Sequence, residues 1–276
     1  MNDKNSILLI DPEFYPVTAG SCSLVIKVGA DSYSYAIIDE SGNTLLALFD
    51  HQECEKPLNE LLKTLETDAN LTLNFTAVKA SVYTTNTISV PNELYNSGDI
   101  SNYGKYFPVE QSDKIYSSES EAFGITSVFN FDEQIQLELI NSFPNCVFLD
   151  QNSPCLSLLQ NQESDTLLLD FTVGTVNCTY VSSGSLVFQN YYEIANEEEF
   201  NYYLLLMIKQ LSPKLRFSQV LLSGIVHEDD NRFQIVKKYF SEISFTKIDS
   251  ETLDLSILDD MPKHYYTTTL AILACE

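Results

Sequence analysis

One pattern of strands and turns occurs twice in this chain. The segments IKVGADSYSYAIIDESGNTL (residues 26–45) and LDFTVGTVNCTYVSSGSL (residues 169–186) both contain a strand, a glycine-bearing turn, a second strand, a Ser-Gly turn and a third strand. Alternating apolar and polar residues indicate the strands, and clusters of Gly, Asn and Ser indicate the turns. We therefore expect an antiparallel meander of three strands in each half of the chain.

The order of elements continues in parallel after each meander. A helix is predicted for PLNELLKTLE (residues 57–66), where the leucines have helical spacing, and for NEEEFNYYLLLMIKQL (residues 196–211), where Asn196 suits the N-cap and three glutamates follow it. Each helix leads to a strand, FTAVKASV (residues 75–82) and FSQVLLSG (residues 217–224). Corresponding residues of these two strands are 142 positions apart, which favours two lobes built on one plan.

The rest of each half is assigned from the same signals. The predicted elements are a strand ending at Pro91, strands at residues 114–117 and 124–130, a helix at 132–142, a strand at 146–150, a short helix at 154–160, a helix at 231–240, a strand at 243–248 and a last helix at 264–275. Residues 151–164 are polar at both ends and suit a connection between lobes. We therefore expect a first lobe over residues 1–152 and a second lobe over residues 153–276.

The composition excludes some classes of partner. The 276 residues include 39 acidic and 15 basic side chains, a net charge of −24, which disfavours nucleic acids and anionic membrane surfaces. The N-terminus matches neither a signal peptide nor a membrane span, and no stretch suits membrane insertion. Six cysteines without a Cys-x-x-Cys pair or zinc-ligand spacing indicate reduced core thiols, so we expect a cytoplasmic protein.

The repeated plan resembles the actin-like ATPase superfamily. It implies a duplicated, two-lobed α/β fold of the ribonuclease H-like kind, in which each lobe combines a mixed sheet, its three-strand meander and helices. More narrowly, the chain resembles a bacterial family that has this fold and no assigned activity. The narrower resemblance is carried by SVPNELY (89–95), LVFQNYYEIANEEEFNYYLLLMIKQL (186–211), VLLSG (220–224), KKYF (237–240) and HYYTTTLAIL (264–273).

The resemblance implies a nucleotide cleft between the lobes. Two hairpin turns would face each other across the phosphates, and an aspartate in each strand would organise Mg²⁺. In the first turn Lys27 stands where that aspartate is expected, followed by Gly29 and Asp31. A lysine cannot ligate Mg²⁺, although it can contact a phosphate. We expect Asp31 to be a turn residue that points away from the cleft and tolerates an unusual backbone angle.

The second turn and the adenine loop also depart from the family pattern. Asp170 matches the expected aspartate, but Thr172 replaces the glycine, and Gly174 comes two positions late. We expect Asp170 to cap its own turn at the end of its strand, and the alternative is a residual ligand of a metal ion or its water. The adenine loop keeps Gly224 after Ser223, where the glycine also lets the chain leave its strand.

We expect no catalytic residue, no metal site and no cofactor, while ATP with Mg²⁺ remains the alternative. If a nucleotide binds, the residues implied are Gly29, Asp31, Asp170, Thr172, Gly174, Ser223 and Gly224.

Two functions follow from these features. The first is a non-catalytic scaffold that binds another protein, and the second is a divergent ATP-binding protein or phosphotransferase that uses the interlobe cleft. The tyrosine-rich loop at residues 95–120 is the candidate binding surface, because loops and tyrosines are common at interfaces. Its aromatic residues would otherwise pack on their own lobe.

Overall fold

The computed structural model describes residues 5–15, 21–41, 43–109, 114–211, 219–248 and 252–275. Gly42 and Phe217, which belong to the repeated pattern, lie outside the described residues. In chain order, the strands are β1 (Ser6–Ile10), β2 (Cys22–Val28), β3 (Tyr33–Asp39), β4 (Thr44–His51), β5 (Ala77–Val82), β6 (Thr87–Pro91), β7 (Tyr116–Ser120), β8 (Ile125–Phe129), β9 (Cys146–Asp150), β10 (Thr166–Phe171), β11 (Thr175–Ser182), β12 (Ser185–Glu193), β13 (Gln219–Gly224) and β14 (Ile243–Phe245).

The helices lie between these strands. The α-helices are α1 (Pro57–Thr67), α2 (Glu133–Ser142), α3 (Ser153–Leu159), α4 (Glu197–Gln210), α5 (Asn231–Tyr239) and α6 (Thr267–Ala271). Short 3-10 helices occupy Ala69–Thr72, Ser97–Tyr106, Glu121–Phe123, Ser256–Leu258, Lys263–Tyr266 and Ile272–Ala274. Within the described ranges, every helix is too short or too polar to span a lipid bilayer.

The two large sheets have the same internal order. The first runs β1-β4-β3-β2-β5-β9 and the second β12-β11-β10-β13-β14. In each, three strands form the predicted antiparallel meander, and two later strands continue the sheet in parallel from its first strand. The predicted two-lobed plan is confirmed. β1, which pairs antiparallel with β4 at the sheet edge, is an addition that the repeat did not predict.

The strand register shows which residues are equivalent in the two lobes. Lys27 of β2 pairs with Ser81 of β5, and Asp170 of β10 pairs with Ser223 of β13. Lys27 therefore occupies in the first sheet the position that Asp170 occupies in the second. This is the correspondence that the sequence repeat predicted.

The helices begin where the sequence signals place them. α1 starts at Pro57, and α4 is capped by the Asn196 side chain, which accepts a hydrogen bond from the Glu199 N–H. Leu61 of α1 and Phe200 of α4 are fully buried against one face of the first and second sheets, respectively. These helices thus close the outer face of each lobe.

The opposite faces of the two sheets are covered by helical segments that flank the second sheet in sequence. Cys155 and Leu159 of α3, which follows the first sheet, pack on Leu168 and Leu221 of the second. Conversely, residues 253–275 pack on β2, β3 and β4 of the first sheet, with Leu270 of α6 among them. Residues 253–275 therefore join the second half of the chain to the first sheet, while the boundary between residues 152 and 153 stays a prediction.

A third sheet, of order β6-β8-β7, is inserted between β5 and α2. The segment 95–120 belongs to this insertion, and its residues 110–113 lie outside the described part. Tyr116 stacks on Phe129 and contacts Phe148 in the first core, and Tyr95 stacks on Tyr103 at 5.8 Å. Tyr106 in contrast is 62% exposed. Part of the loop thus packs on its own lobe, and part of it faces solvent.

The last helix departs from the prediction of one helix over residues 264–275. A 3-10 turn precedes α6 and another follows it, so only Thr267–Ala271 is α-helical. Thr267, Thr268 and Thr269 are β-branched, which lowers helix propensity. Their buried hydroxyl groups are hydrogen-bonded to strands of both sheets, as described below, and these contacts fix the segment.

Candidate functional site

Two hairpin turns meet between the lobes. The turn that joins β2 to β3 is closed by a hydrogen bond of 2.8 Å from the Gly29 N–H to the Ser32 carbonyl. The turn that joins β10 to β11 is closed by a bond of 3.1 Å from the Thr172 N–H to the Thr175 carbonyl. These are the two turns that the resemblance places around nucleotide phosphates.

An ion pair joins the two equivalent strand positions. Lys27 Nζ lies 2.6 Å from Asp170 Oδ2 and 2.6 Å from Thr268 Oγ1, and the Thr268 hydroxyl donates to Asp170 Oδ1 at 3.0 Å. The Lys27 side chain is 21% exposed and that of Asp170 is 4% exposed. The expectation that Asp170 caps its own turn is wrong, because a full positive charge from the other lobe is a stronger partner for its carboxylate.

Asp31 reaches across to the second hairpin. Its Oδ2 atom accepts hydrogen bonds from the Gly174 N–H at 2.8 Å and from the Thr172 hydroxyl at 2.9 Å. The expectation that Asp31 points away from the cleft is therefore wrong. The donors of the opposing turn attract its carboxylate, since charge-assisted hydrogen bonds are stronger than neutral ones.

The backbone of Asp31 is also ordinary. The non-glycine residues with positive φ in the described ranges are Asn43, Glu53 and Ser183. The expected unusual backbone angle at Asp31 is therefore not observed. The hairpin of the first lobe turns at residues 29–32 without it.

Three further side chains hold the turns in place. The Tyr191 hydroxyl donates to Thr175 Oγ1 at 2.8 Å and accepts from the Ala30 N–H at 3.3 Å, so it connects the two turns. Gln52 Oε1 accepts from the Val173 N–H at 3.4 Å. Arg232 at the start of α5 donates to the carbonyl groups of Thr172 and Val173. The second turn thus has protein partners for both its donors and its acceptors.

The threonine run of α6 ties the cleft to three strands. Thr267 is hydrogen-bonded to Ser223 at 2.7 Å, Thr268 to Asp170, and Thr269 to Ser34 at 3.0 Å. The motif HYYTTTLAIL carries part of the family resemblance, which gives these threonines no role. Three consecutive threonines in a buried helix could have indicated polar contacts here, because each hydroxyl group needs a hydrogen-bond partner once it is buried.

Gly224 has the structural role that the sequence suggested, which is to let the chain leave its strand. Its φ is +75°, and a Cβ atom there would lie 1.9 Å from the Phe171 carbonyl oxygen. That carbonyl accepts a hydrogen bond of 2.8 Å from the Ile225 N–H. The chain therefore leaves β13 by passing directly over the end of β10, which only glycine permits.

Asp50 adds a buried carboxyl group beside the cleft. It is 6% exposed, and Gln52 Nε2 donates to its Oδ1 atom at 2.9 Å. Burial raises the pKa of Asp50 to about 6, although the Gln52 hydrogen bond and the Lys27 charge act in the opposite direction. No sequence motif marked this residue, because its environment depends on long-range packing.

The geometry does not fit a magnesium ion and a phosphate in their usual places. The Lys27 ammonium group takes the position against Asp170 where a cation would bind, and the Asp31 carboxylate takes the position against the Gly174 N–H where an anion would bind. A Cβ atom at Gly174 would come within 2.9 Å of Asp31 Oδ2, so the contact is already close. Within the described part of the chain, no three His, Cys, Asp or Glu side chains cluster as metal ligands would.

Of the sequence-predicted site residues, Asp31, Asp170, Thr172 and Gly174 are brought together at the facing turns. Ser223 joins them through the neighbouring threonines Thr267 and Thr268, which bond to Ser223 and Asp170 respectively. The Gly29 N–H closes the first turn. Gly224 lets the end of β13 pack closely against the end of β10. Lys27, Tyr191, Thr268 and Arg232 complete the arrangement.

Comparison with known proteins places the chain in a family. Residues 11–243 match the family model described as protein of unknown function (DUF3822). No curated protein matches the chain significantly.

Solved structures show the fold. A protein of Bacteroides thetaiotaomicron with an actin-like ATPase fold and unknown function has a TM-score of 0.72 at 16% identity, covering 95% of this chain and 99% of that one. The PilM–PilN complex of type IV pilus biogenesis gives 0.56 at 10% identity, with 91% and 97% covered. The ethanolamine utilization protein EutJ of Carboxydothermus hydrogenoformans gives 0.51 at 9% identity, with 96% and 91% covered. The chain thus belongs to the DUF3822 family of proteins of unknown function and has the actin-like ATPase fold.

Proposed function

We propose that this protein is a non-catalytic member of the actin-like fold that acts by binding another protein. The observation that carries the proposal is the contact of the Asp31 carboxylate with the Gly174 N–H at 2.8 Å. It fills the anion position of the second hairpin from within the chain. The Lys27–Asp170 ion pair fills the neighbouring cation position in the same way. Neither position is then free for the phosphates and metal of ATP.

Binding to another protein is supported by a structural likeness and by the surface. PilM, which has a similar fold, is found in a complex with PilN. On this chain Leu94 is 72% exposed and Tyr106 is 62% exposed, both on the inserted segment. We place the protein in the cytoplasm, since most of its cysteines are buried thiols.

The first experiment measures thermal unfolding with and without millimolar ATP and Mg²⁺. A ligand that binds the folded state raises Tm, and we expect no shift for the wild type. The variant Lys27→Asp/Asp31→Ser removes both internal groups, so we expect ATP with Mg²⁺ to raise its Tm more than that of the wild type. A shift of several degrees for the wild type, together with hydrolysis, would establish the phosphotransferase alternative instead.

The second experiment captures the tagged protein from its native cells after in vivo cross-linking. We expect one partner to co-purify in constant ratio with the wild type and to be reduced by Leu94→Ser/Tyr106→Ser. Tyr202→Ser is the matched control, because Tyr202 is 60% exposed on α4, away from the inserted segment. A wild-type protein that stays monomeric and cross-links to nothing contradicts the proposal.

A further inference from the structure

A groove of approximately 390 Å³ opens between the inserted sheet and the second large sheet. Thr87 and Ser89 of β6 form one wall, and Gln189, Asn190 and Tyr191 of β12 form the other. β6 and β12 are both edge strands of their sheets. The groove therefore lies between two strand edges rather than between two sheet faces.

β6 directs backbone groups into this groove. In an antiparallel pair, alternate residues are hydrogen-bonded to the partner strand, and the residues between them point away. The Asn92 N–H donates to the Gly124 carbonyl at 2.9 Å, which makes the even-numbered residues of β6 those bonded to β8. Thr87 and Ser89 thus point their N–H and C=O groups away from β8, and these groups have no backbone partner among the described residues.

β12 forms the facing wall with its own outward groups. The Ile194 N–H donates to the Gly174 carbonyl at 2.7 Å, so Gln189 and Tyr191 are the residues whose backbone points away from β11. The Asn190 side chain already accepts from the Tyr191 N–H at 2.9 Å. Since β12 is partly closed by this contact, β6 is the edge that is open for strand pairing.

The groove is lined by uncharged side chains and lies on a strongly negative chain. Its lining includes no charged residue, and the Asp150 carboxyl behind it, which accepts from the Thr87 hydroxyl at 3.1 Å, is fully buried, so that burial raises its pKa. Burial and the negative charge of Glu193 both raise the pKa of Tyr83 on the groove wall. The whole chain carries a net charge of −24. A positively charged ligand is thus favoured over a neutral or acidic one.

We propose that this groove binds an extended, basic segment of a partner protein, which adds to β6 as a further strand and directs Lys or Arg side chains toward β12. Strand addition supplies main-chain hydrogen bonds to Thr87 and Ser89, and the negative charges of Glu193 and of the chain as a whole favour a basic ligand. The inference rests on the proposed protein-binding function and names the surface and the chemistry of the partner.

The test uses a displayed library of random twelve-residue peptides, selected on the full chain. Enriched peptides are then synthesised, and their Kd is measured by fluorescence anisotropy. Ser89→Pro removes an outward N–H without touching a bond to β8, as proline permits at a strand edge. Ser117→Pro is the matched control, because by the same alternation Ser117 is an outward, exposed serine on β7, the opposite edge of this sheet.

We expect enriched peptides to be rich in Lys and Arg, to bind at least tenfold more weakly to Ser89→Pro, and to bind within twofold of wild type to Ser117→Pro. Thr85→Lys, at an exposed lining position, adds a repelling charge without altering the strand and should also weaken binding. If Ser89→Pro fails to fold, the binding of the peptides to Thr85→Lys tests the proposal by itself.

No enrichment, or enriched peptides that bind Thr85→Lys and folded Ser89→Pro as tightly as wild type, overturns the proposal. If enriched peptides bind the variants as tightly as wild type, the protein binds peptides at another surface, and the proposed protein-binding function still stands. The cross-linking experiment described above tests that function independently, so the two failures are distinguishable.

Discussion

At the scale of single residues, charged groups of each lobe are paired with groups of the other lobe in the cleft. The Lys27 ammonium group faces Asp170, and the Asp31 carboxylate faces the Gly174 N–H. Each group satisfies a partner of opposite charge or a donor that would otherwise need water. Both contacts join the two lobes, so local chemistry here fixes the relative position of the hairpins.

The ion pair predicts non-additive effects of substitution. Lys27→Met leaves the Asp170 carboxylate, which is 4% exposed, without its counter-charge, and we expect a loss of about 3 kcal/mol in the free energy of unfolding. Lys27→Met/Asp170→Asn should recover most of that loss. Urea denaturation of the two single variants and the double variant measures the coupling.

Lys63 provides the matched control. It pairs with Glu60 on the surface, and its side chain is 68% exposed. Lys63→Met should cost no more than about 0.5 kcal/mol. Equal losses for Lys63→Met and Lys27→Met would contradict the role assigned to the interlobe pair.

Asp50 predicts a pH dependence of stability. Its pKa of about 6 in the folded protein lies above the ordinary value of 3.8, so the folded state binds the proton more tightly than the unfolded state. The contribution is fully present below about pH 4 and is lost as the pH rises through about 6. Asp50→Asn lacks this loss and should gain up to about 3 kcal/mol relative to wild type across that window.

The measurement is urea denaturation of Asp50→Asn and wild type at pH values from 4 to 8. The difference between them should grow up to about pH 6 and then level off. Glu138, which is exposed on α2, gives the control: solvent screens an exposed carboxylate, so Glu138→Gln should change the free energy of unfolding by no more than about 0.3 kcal/mol. A constant difference between Asp50→Asn and wild type would show that Asp50 titrates normally.

At the scale of elements, two glycines with nearly the same backbone angle have different surroundings. Gly224 at the end of β13 has a φ of +75°, and a Cβ atom there would lie 1.9 Å from the Phe171 carbonyl oxygen. Gly184 between β11 and β12 has a φ of +72° and open space around the same position. A residue with a Cβ atom would therefore be conformationally strained at either site. Steric overlap is confined to Gly224, where the end of β13 lies against the end of β10.

This difference predicts unequal costs for the same substitution. Gly184→Ala should lose about 1 kcal/mol, which is the strain of a left-handed alanine. Gly224→Ala should lose about 3 kcal/mol or more, because the strand ends must also separate. Thermal unfolding with two probes checks both values, and similar losses would show that the strand ends have room to adjust.

Elements were predictable where their signals are local. The turns of both meanders, the N-cap Asn196 and Pro57 at the start of α1 all depend on neighbouring residues. β1 was missed because its edge position gives it no alternation. The contacts of Asp31 and Thr268 were missed because they join residues more than 90 positions apart, and only the folded chain brings these together.

At the scale of the whole molecule, charge opposes compaction. The 276 residues carry a net charge of −24, so acidic side chains repel one another in the folded state. Salt weakens this repulsion, since the Debye screening length is roughly 8 Å at physiological ionic strength. We expect Tm at pH 7.5 to rise by several degrees between 10 mM and 500 mM NaCl. Calorimetry at both salt concentrations measures it.

The same comparison near pH 4.5 is the control, since part of the carboxylates are protonated there. The salt effect should shrink with the net charge. A fall in Tm with salt at pH 7.5 would instead mean that attractive pairs such as Lys27–Asp170 dominate the electrostatic balance.

The C-terminal helical segment sets an order of events during synthesis. The residues that cover the inner face of β2, β3 and β4 are residues 253–275, which the ribosome adds after the strands of the second sheet. One apolar face of the first sheet therefore stays uncovered while more than a hundred further residues are translated. Completion of the first lobe is a late, long-range step, and an apolar sheet face that is exposed until then favours aggregation of the unfinished chain.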